Sequence, residues 1–101
     1  MKSTDNALLV TVIYDASIDE RLLQLLQQLH IPGWTRIASA HGAGGRGRKE
    51  DNPIWPGTVN LLLIALPENE AETLIHHIRN LQNTYRRKPG ITIWTQPITL
   101  R

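Results

Sequence analysis

The sequence predicts an α+β domain of the ferredoxin-like class, in the order β-α-β-β-α-β, with a four-stranded antiparallel sheet that carries two helices on one face. Three observations support this prediction. Apolar β-branched segments and amphipathic segments follow one another in that order, two βαβ crossovers are right-handed by rule, and 101 residues fit one domain. We therefore treat residues 1–101 as a single domain with an exposed loop at about 42–57.

The strands are recognised by short apolar runs between turn residues. Ala7–Tyr14 is rich in β-branched residues and is apolar on both of its faces, which is typical of a central strand covered on both sides. Pro97 is expected to limit pairing beyond the last strand. The other three strands are predicted at Trp34–His41, Thr58–Leu66 and Ile91–Gln96.

The helices are recognised by their apolar spacing and their end signals. Ser17–His30 begins with Ser17 as a predicted N-cap and Glu20 as the second half of a capping box, and Pro32-Gly33 is expected to end it. Pro67–Leu81 is the second predicted helix. The predicted buried stripes are Ile18, Leu22, Leu25, Leu26 and Leu29 in the first helix and Ala71, Leu74, Ile75, Ile78 and Leu81 in the second.

The sheet poses a burial problem, because the helices cover one face while the first and third strands are apolar on both. The simplest cover for the second face is another copy of the same chain. Trp34 and Trp94 lie on predicted strands and are expected to pack in the core or at a subunit contact.

Composition excludes several classes of function. The chain has no cysteine, which removes disulfides, thiolate metal sites and cysteine nucleophiles. No signal-peptide layout and no membrane-length apolar run is present, so we expect a cytoplasmic protein. Catalytic motifs are absent, and Asp15 and Asp19 are interpreted as turn and helix-start residues, so we expect no enzymatic activity.

The segment Gly42–Gly57 is long and polar for a loop in so small a domain, which is typical of a functional loop or of a disordered one. Its glycines match the pattern G-x-G-x-x-G. A dinucleotide-binding motif also needs a helix that begins directly after the glycines, and no helix start follows here, so this motif is not predicted. Glycines beside arginines can nevertheless bring backbone N–H groups and forked donors to an anion. A second basic cluster, Arg86-Arg87-Lys88, precedes the last strand.

Three motifs in a fixed order carry a family resemblance. They are Gly33-Trp34-Thr35-Arg36-Ile37, then His41-Gly42-Ala43-Gly44 with Gly47, then Ile54-Trp55-Pro56-Gly57-Thr58-Val59-Asn60. In this combination, and in the lengths of its elements, the chain resembles the PII-like signalling proteins over nearly its whole length. It differs from nucleotide-binding PII proteins before the last strand, where their glycine-rich, acid-containing turn is replaced by the basic Arg86–Gly90 segment.

The resemblance implies a homotrimeric regulatory protein without catalysis. It also implies a small anionic ligand in clefts between subunits, most often an adenine nucleotide (ATP, ADP or AMP), and a loop that acts on a partner such as a membrane transporter or a metabolic enzyme. No further cofactor and no metal ligand are predicted. The expected ligand residues are Gly42, Gly44, Arg46, Gly47, Arg86, Arg87 and Lys88, and the expected loop contacts are Arg48, Lys49 and Trp55.

Two alternatives use the same fold. A metal-responsive PII-like (CutA-like) protein would employ His76 or His77, with His30 or His41 completing a site. However, adjacent helix positions point about 100° apart and cannot easily share one ion. A nucleic-acid-binding module would exploit the basic clusters, but the aromatic motif of sheet-face RNA readers is missing, so nucleic acid is not an expected partner.

Overall fold

The computed structural model describes residues 6–40 and 58–101, and it confirms the ferredoxin-like fold. Its sheet has the order β2-β3-β1-β4 with every neighbouring pair antiparallel. A 3₁₀ turn at Ala16–Ile18 precedes the first helix. The strands are β1 (Asn6–Asp15), β2 (Thr35–Ala40), β3 (Val59–Leu66) and β4 (Ile91–Thr99), and the helices are α1 (Asp19–Gln28) and α2 (Glu68–Asn83).

One apolar core lies between the helices and one face of the sheet. Alternate residues of the two central strands point into it, since Val10 pairs with Ile64 and Val12 with Leu62. The predicted helix stripes face the same core, with Ile18, Leu22 and Leu26 buried on one side and Ala71, Leu74 and Ile78 on the other. The remaining predicted stripe residues, Leu25, Leu29, Ile75 and Leu81, pack against it partly buried.

Both predicted end signals of the first helix were wrong. Asp15, not Ser17, is the capping residue, because its carboxylate accepts a hydrogen bond of 2.9 Å from the Ser17 backbone N–H and caps the 3₁₀ turn. At the other end His30 adopts a left-handed φ of 57°, and the Ile31 N–H donates to the Leu26 carbonyl at 3.0 Å. This Schellman arrangement ends the helix before Pro32 is reached.

The predicted end of β4 at Gln96 was also wrong. Pairing with β1 continues through Pro97, which lies opposite Leu8, to Thr99, which lies opposite Asn6. β4 is an edge strand, so a proline whose missing N–H would face away from β1 costs no ladder hydrogen bond.

The sheet face turned away from the helices is called the free face. Its strand pairing places Leu63, Thr11 and Trp94 side by side, and Ile37 next to Leu61. Trp94 is 45% exposed and Ile37 is 46% exposed, so both are among the large apolar side chains that a single subunit leaves open. Trp34 is 43% exposed, and the expectation that either tryptophan could lie in the core of one subunit was wrong.

Candidate functional site

Four strand ends meet at one end of the sheet, called here the loop end. The pairs Asp15–Val59 and Ala40–Val59 bring the end of β1, the end of β2 and the start of β3 together, and Tyr14 pairs with Ile91 at the start of β4. The segment 41–57 leaves β2 and returns to β3 here. The two ends of that segment are therefore anchored at the loop end.

The segment Thr84–Gly90, called the basic turn, brings α2 back to β4 at the same end. Its Arg86, Arg87 and Lys88 side chains are all exposed. β1 lies between β3 and β4, so the starts of these two strands are roughly 10 Å apart, twice the usual spacing of neighbouring strands. The topology thus places three exposed cations at the same end of the sheet as the two roots of the 41–57 segment, which are the end of β2 and the start of β3.

The other residues predicted from the sequence lie outside the described part of the chain. They are the ligand candidates Gly42, Gly44, Arg46 and Gly47 and the loop contacts Arg48, Lys49 and Trp55.

A polar network centred on Asp19 occupies the loop end on the helix-covered side of the sheet. The Tyr14 hydroxyl donates to Asp19 Oδ1 at 2.6 Å, and Arg36 forks onto the carboxylate with Nε at 2.8 Å and Nη2 at 2.9 Å. The Asn60 side-chain amide donates at 2.8 Å. One carboxylate therefore ties the first turn of α1 to β1, β2 and β3.

The same amide of Asn60 reaches the last residues of β2. Its Oδ1 accepts a hydrogen bond of 3.0 Å from the Ser39 backbone N–H. Ser39 has a left-handed φ of 63°, and the register with β3 shifts between Ile37 and Ala40. A left-handed non-glycine residue is strained and persists where its surroundings hold it. Asn60 therefore helps to fix the direction in which the chain leaves the sheet.

The network shifts the proton affinities of its members. The hydrogen bonds from Arg36 hold the pKa of Asp19 below its usual value, and those from Tyr14 and Asn60 act the same way. Burial raises the pKa of Tyr14 to about 12, and its hydrogen bond to the Asp19 carboxylate adds to the effect. The hydrogen bond to Asp19 raises the pKa of Arg36. Asp19 is therefore an ionised acceptor whose donors are already in place, not a poised base.

Comparison with known proteins places this architecture in a family. The family model of nitrogen regulatory protein P-II matches residues 7–99. The chain belongs to the P-II family. No curated protein sequence matches it.

Solved structures similar to this P-II family chain share its fold at low sequence identity. CPII, a nitrogen regulatory PII-like protein from Thiomonas intermedia K12 bound to ADP, AMP and bicarbonate, is 15% identical with a TM-score of 0.75 over 100% of both chains. A protein of Thermus thermophilus described as PII-like is 18% identical, with a TM-score of 0.65 over 98% of this chain and 93% of the other.

The sequence of this P-II family chain did not lead us to predict the Asp19 network. Asp19 was assigned only a helix-start role, since an acidic residue in a first helical turn needs no other explanation. Arg36 and Asn60 were noticed only as parts of family motifs. Arg36 precedes the 41–57 segment and Asn60 follows it, and that shared position was the available signal that their side chains meet.

Within residues 6–40 and 58–101, neither a cluster of metal-ligating side chains nor the groove beside α1 offers an alternative anion site. In residues 6–40 and 58–101 no group of three or more metal-ligating side chains comes together. The rings of His76 and His77 lie 6.1 Å apart in an edge arrangement. A groove of about 400 Å³ between α1 and Trp34 is lined by Glu20, Leu23, Gln24, Gln27, Ile31 and Trp34, which include no cation.

No helix in the described ranges is long and apolar enough to cross a membrane.

Proposed function

We propose that this P-II family chain is a signalling protein that binds an adenine nucleotide at the loop end of the sheet. The observation that carries the proposal is that the basic turn lies at the same end of the sheet as the end of β2 and the start of β3, the two points between which the 41–57 segment runs. Three exposed cations at one turn attract phosphates, and arginine offers paired donors to their oxygens. The CPII structure with ADP, AMP and bicarbonate supports this class of ligand.

The proposed ligand residues come from two segments. Arg86, Arg87 and Lys88 supply charge from the basic turn. The glycines of the 41–57 segment would let backbone N–H groups approach the anion closely, with Arg46 adding a further cation. The members from that segment are Gly42, Gly44, Arg46 and Gly47.

We further propose that the working unit is a homotrimer. The free face supports this, because Ile37 and Trp94 are about half exposed and lie among apolar neighbours on the sheet. A second copy of the chain is the partner that removes such a surface from water. In a trimer the loop end of one subunit can lie beside a neighbour, so that the ligand occupies a cleft between them.

The output of the protein is proposed to be regulation of a partner, such as a membrane transporter or a metabolic enzyme, rather than catalysis. Arg48, Lys49 and Trp55 of the 41–57 segment are the proposed contacts. Binding of the nucleotide near the roots of that segment would favour one of its conformations and so change the affinity for the partner.

Two measurements on the purified protein test the proposal together. Native mass spectrometry gives the number of subunits and any retained ligand. Titration calorimetry against ATP, ADP, AMP, cyclic nucleotides and bicarbonate then gives the ligand class. A trimer that binds at least one adenine nucleotide is expected. A confirmed trimer that binds none of these compounds would rule out nucleotide sensing, and a monomer at working concentration would rule out the intersubunit cleft.

A further inference from the structure

The last turn of α2 holds the returning limb of the basic turn through two polar side chains. Gln82 Nε2 donates to the Pro89 carbonyl at 2.8 Å, and Arg79 Nη1 donates to the Ile91 carbonyl at 3.2 Å. Between them, the Asp15 backbone N–H donates to the Gly90 carbonyl at 3.1 Å. Three consecutive carbonyl groups thus have donors from α2 and β1, and this limb of the turn is held in one conformation.

The departing limb is held as well. Thr84 Oγ1 donates to the Leu81 carbonyl at 2.7 Å, and the Tyr85 N–H donates to the Gln82 carbonyl at 3.3 Å. Tyr85 is half-buried and packs against the core. Both limbs are therefore fixed, and the exposed cations lie on the backbone between them.

Arg79 and Gln82 also contact each other, because the same Arg79 Nη1 donates to Gln82 Oε1 at 3.0 Å. Arg79 is partly buried, and its acceptors within residues 6–40 and 58–101 are neutral oxygen atoms. A carboxylate partner would also hold a guanidinium, but it would add a negative charge beside the turn. Here it shapes the turn without bringing a negative charge to it, so the positive potential of the turn is kept.

We propose that Arg79 and Gln82 are positioning residues that pre-organise the basic turn for a phosphate-bearing ligand. The ligand part of this inference rests on the proposed nucleotide binding. If the turn were flexible, its three cations would be ordered only when the ligand binds. That ordering would cost binding free energy, because like charges repel and long side chains lose rotamer freedom. A turn that is already held by neutral hydrogen bonds brings the cations together before the ligand arrives.

The variant that tests this inference is Gln82→Leu, which removes both hydrogen bonds of the side chain without changing the net charge. Hydrogen exchange of the backbone amides of residues 84–88 and 90 is measured without ligand, and affinities for ATP, ADP, AMP and inorganic pyrophosphate are measured by calorimetry at several salt concentrations. We expect faster exchange in the turn and a loss of affinity on the order of tenfold, the effect of about one lost hydrogen bond. The salt dependence should stay that of the wild type, because every cation remains.

The matched control is Gln28→Leu, the same change at an exposed position at the end of α1, at the opposite end of the sheet. It should leave both the exchange of the turn and the two affinities unchanged. Arg79→Lys is a second variant in case Gln82→Leu folds poorly. It keeps the charge but removes the planar guanidinium whose Nη1 reaches both Gln82 and Ile91, and it should show the same pattern with a smaller loss of affinity.

The possible outcomes separate this inference from the proposed function. Wild-type exchange rates in the turn of both variants would overturn the inference. So would faster exchange with unchanged affinities at a temperature where both proteins are fully folded, since the held conformation would then not serve the ligand. Wild-type protein that binds none of ATP, ADP, AMP and pyrophosphate would overturn the proposed function first, and the positioning role would fall with it.

Discussion

The side-chain amide of Asn60 lies 2.8 Å from the carboxylate of Asp19, across 41 positions of sequence, and its oxygen lies 3.0 Å from the backbone nitrogen of Ser39. Asn60 is 3% exposed, so it makes these two contacts almost out of reach of water. It connects the first turn of α1 to the point where the chain leaves β2. The first three predictions below follow from this connection.

Replacing Asp19 by Asn should destabilise the protein by about 2 kcal/mol, the usual effect of losing hydrogen bonds to a charged acceptor. The pKa of Asp19 is lowered in the folded chain from 3.8, so its stabilisation is present above pH 3.8 and is lost as pH falls through the lower folded value. Urea unfolding at several pH values should therefore show a smaller difference between variant and wild type in strong acid than at neutral pH.

The control for this prediction is Glu20→Gln, which removes the exposed carboxylate of the next residue. It should change the free energy of unfolding by no more than about 0.5 kcal/mol. An equal loss in both variants would mean that general charge balance, not the Asp19 network, causes the effect.

Replacing Tyr14 by Phe should remove the part of the free energy of unfolding that the wild type loses at alkaline pH. The pKa of Tyr14 is raised from 10.0 to about 12 in the folded chain, so its contribution is complete below pH 10 and is lost as pH rises through 12. The variant should lose about 1 kcal/mol at neutral pH through the missing hydrogen bond. Its free energy of unfolding should then approach that of the wild type in the alkaline range, whereas a constant difference would contradict the assignment.

Replacing Ser39, near the end of β2, by Gly should stabilise the protein, because glycine adopts a φ of 63° without the steric cost that serine bears. We expect a gain of up to about 1 kcal/mol in the free energy of unfolding. The matched control is Ser39→Ala, which removes the hydroxyl but keeps a Cβ and should bring no gain. In an Asn60→Ala background the glycine should help less, since serine is then no longer held in the strained φ and can relax.

Replacing Trp94 by Arg should separate the subunits if the free face is the subunit contact. Trp94 is 45% exposed in the single subunit, so the substitution leaves the core of that subunit intact, but it places a charge where apolar surfaces would meet. Native mass spectrometry should find mostly monomer with an unchanged circular dichroism spectrum. Thr73→Arg, at an exposed site on α2, should remain assembled. A Trp94→Arg protein that keeps the wild-type subunit number would exclude this face.

Replacing Arg86 by Gln should lower the affinity for ADP on the order of tenfold, the effect of one charge-assisted hydrogen bond. The affinity should also depend less steeply on salt, because one cation fewer faces the ligand. Arg101→Gln removes the same charge just beyond β4, at the opposite end of the sheet, and serves as the control. Similar losses in both variants would indicate a general effect of net charge without a site at the basic turn.

The fold could be predicted because its main determinants are local and periodic. The alternation of Val10, Val12 and Tyr14 and the spacing of Leu22 and Leu26 identify the core directly. End signals were less reliable. The helix start was assigned to Ser17 because a serine before an apolar stripe usually caps it, yet a 3₁₀ turn capped by Asp15 comes first.

The candidate site could be predicted only in part. The basic turn was identified because its three cations are adjacent in sequence. The Asp19 network was not, since its members come from four elements and meet only when the sheet has formed. Likewise, Gln82 gives no sign in the sequence that its amide reaches Pro89. Such contacts depend on side-chain direction in three dimensions, which a linear pattern does not encode.

The bond between the Ser39 nitrogen and Asn60 Oδ1 closes the chain between these residues into a ring fastened at its base. When the two ends of a segment are fixed, each doubling of its length adds only about 0.6 kcal/mol of closure entropy. The core and most of the sheet lie outside this ring, so residues inserted between Ser39 and Asn60 would hardly lower the stability of the rest of the protein. Evolution, or a protein engineer, can therefore lengthen or replace this segment to suit a new target while keeping the same scaffold.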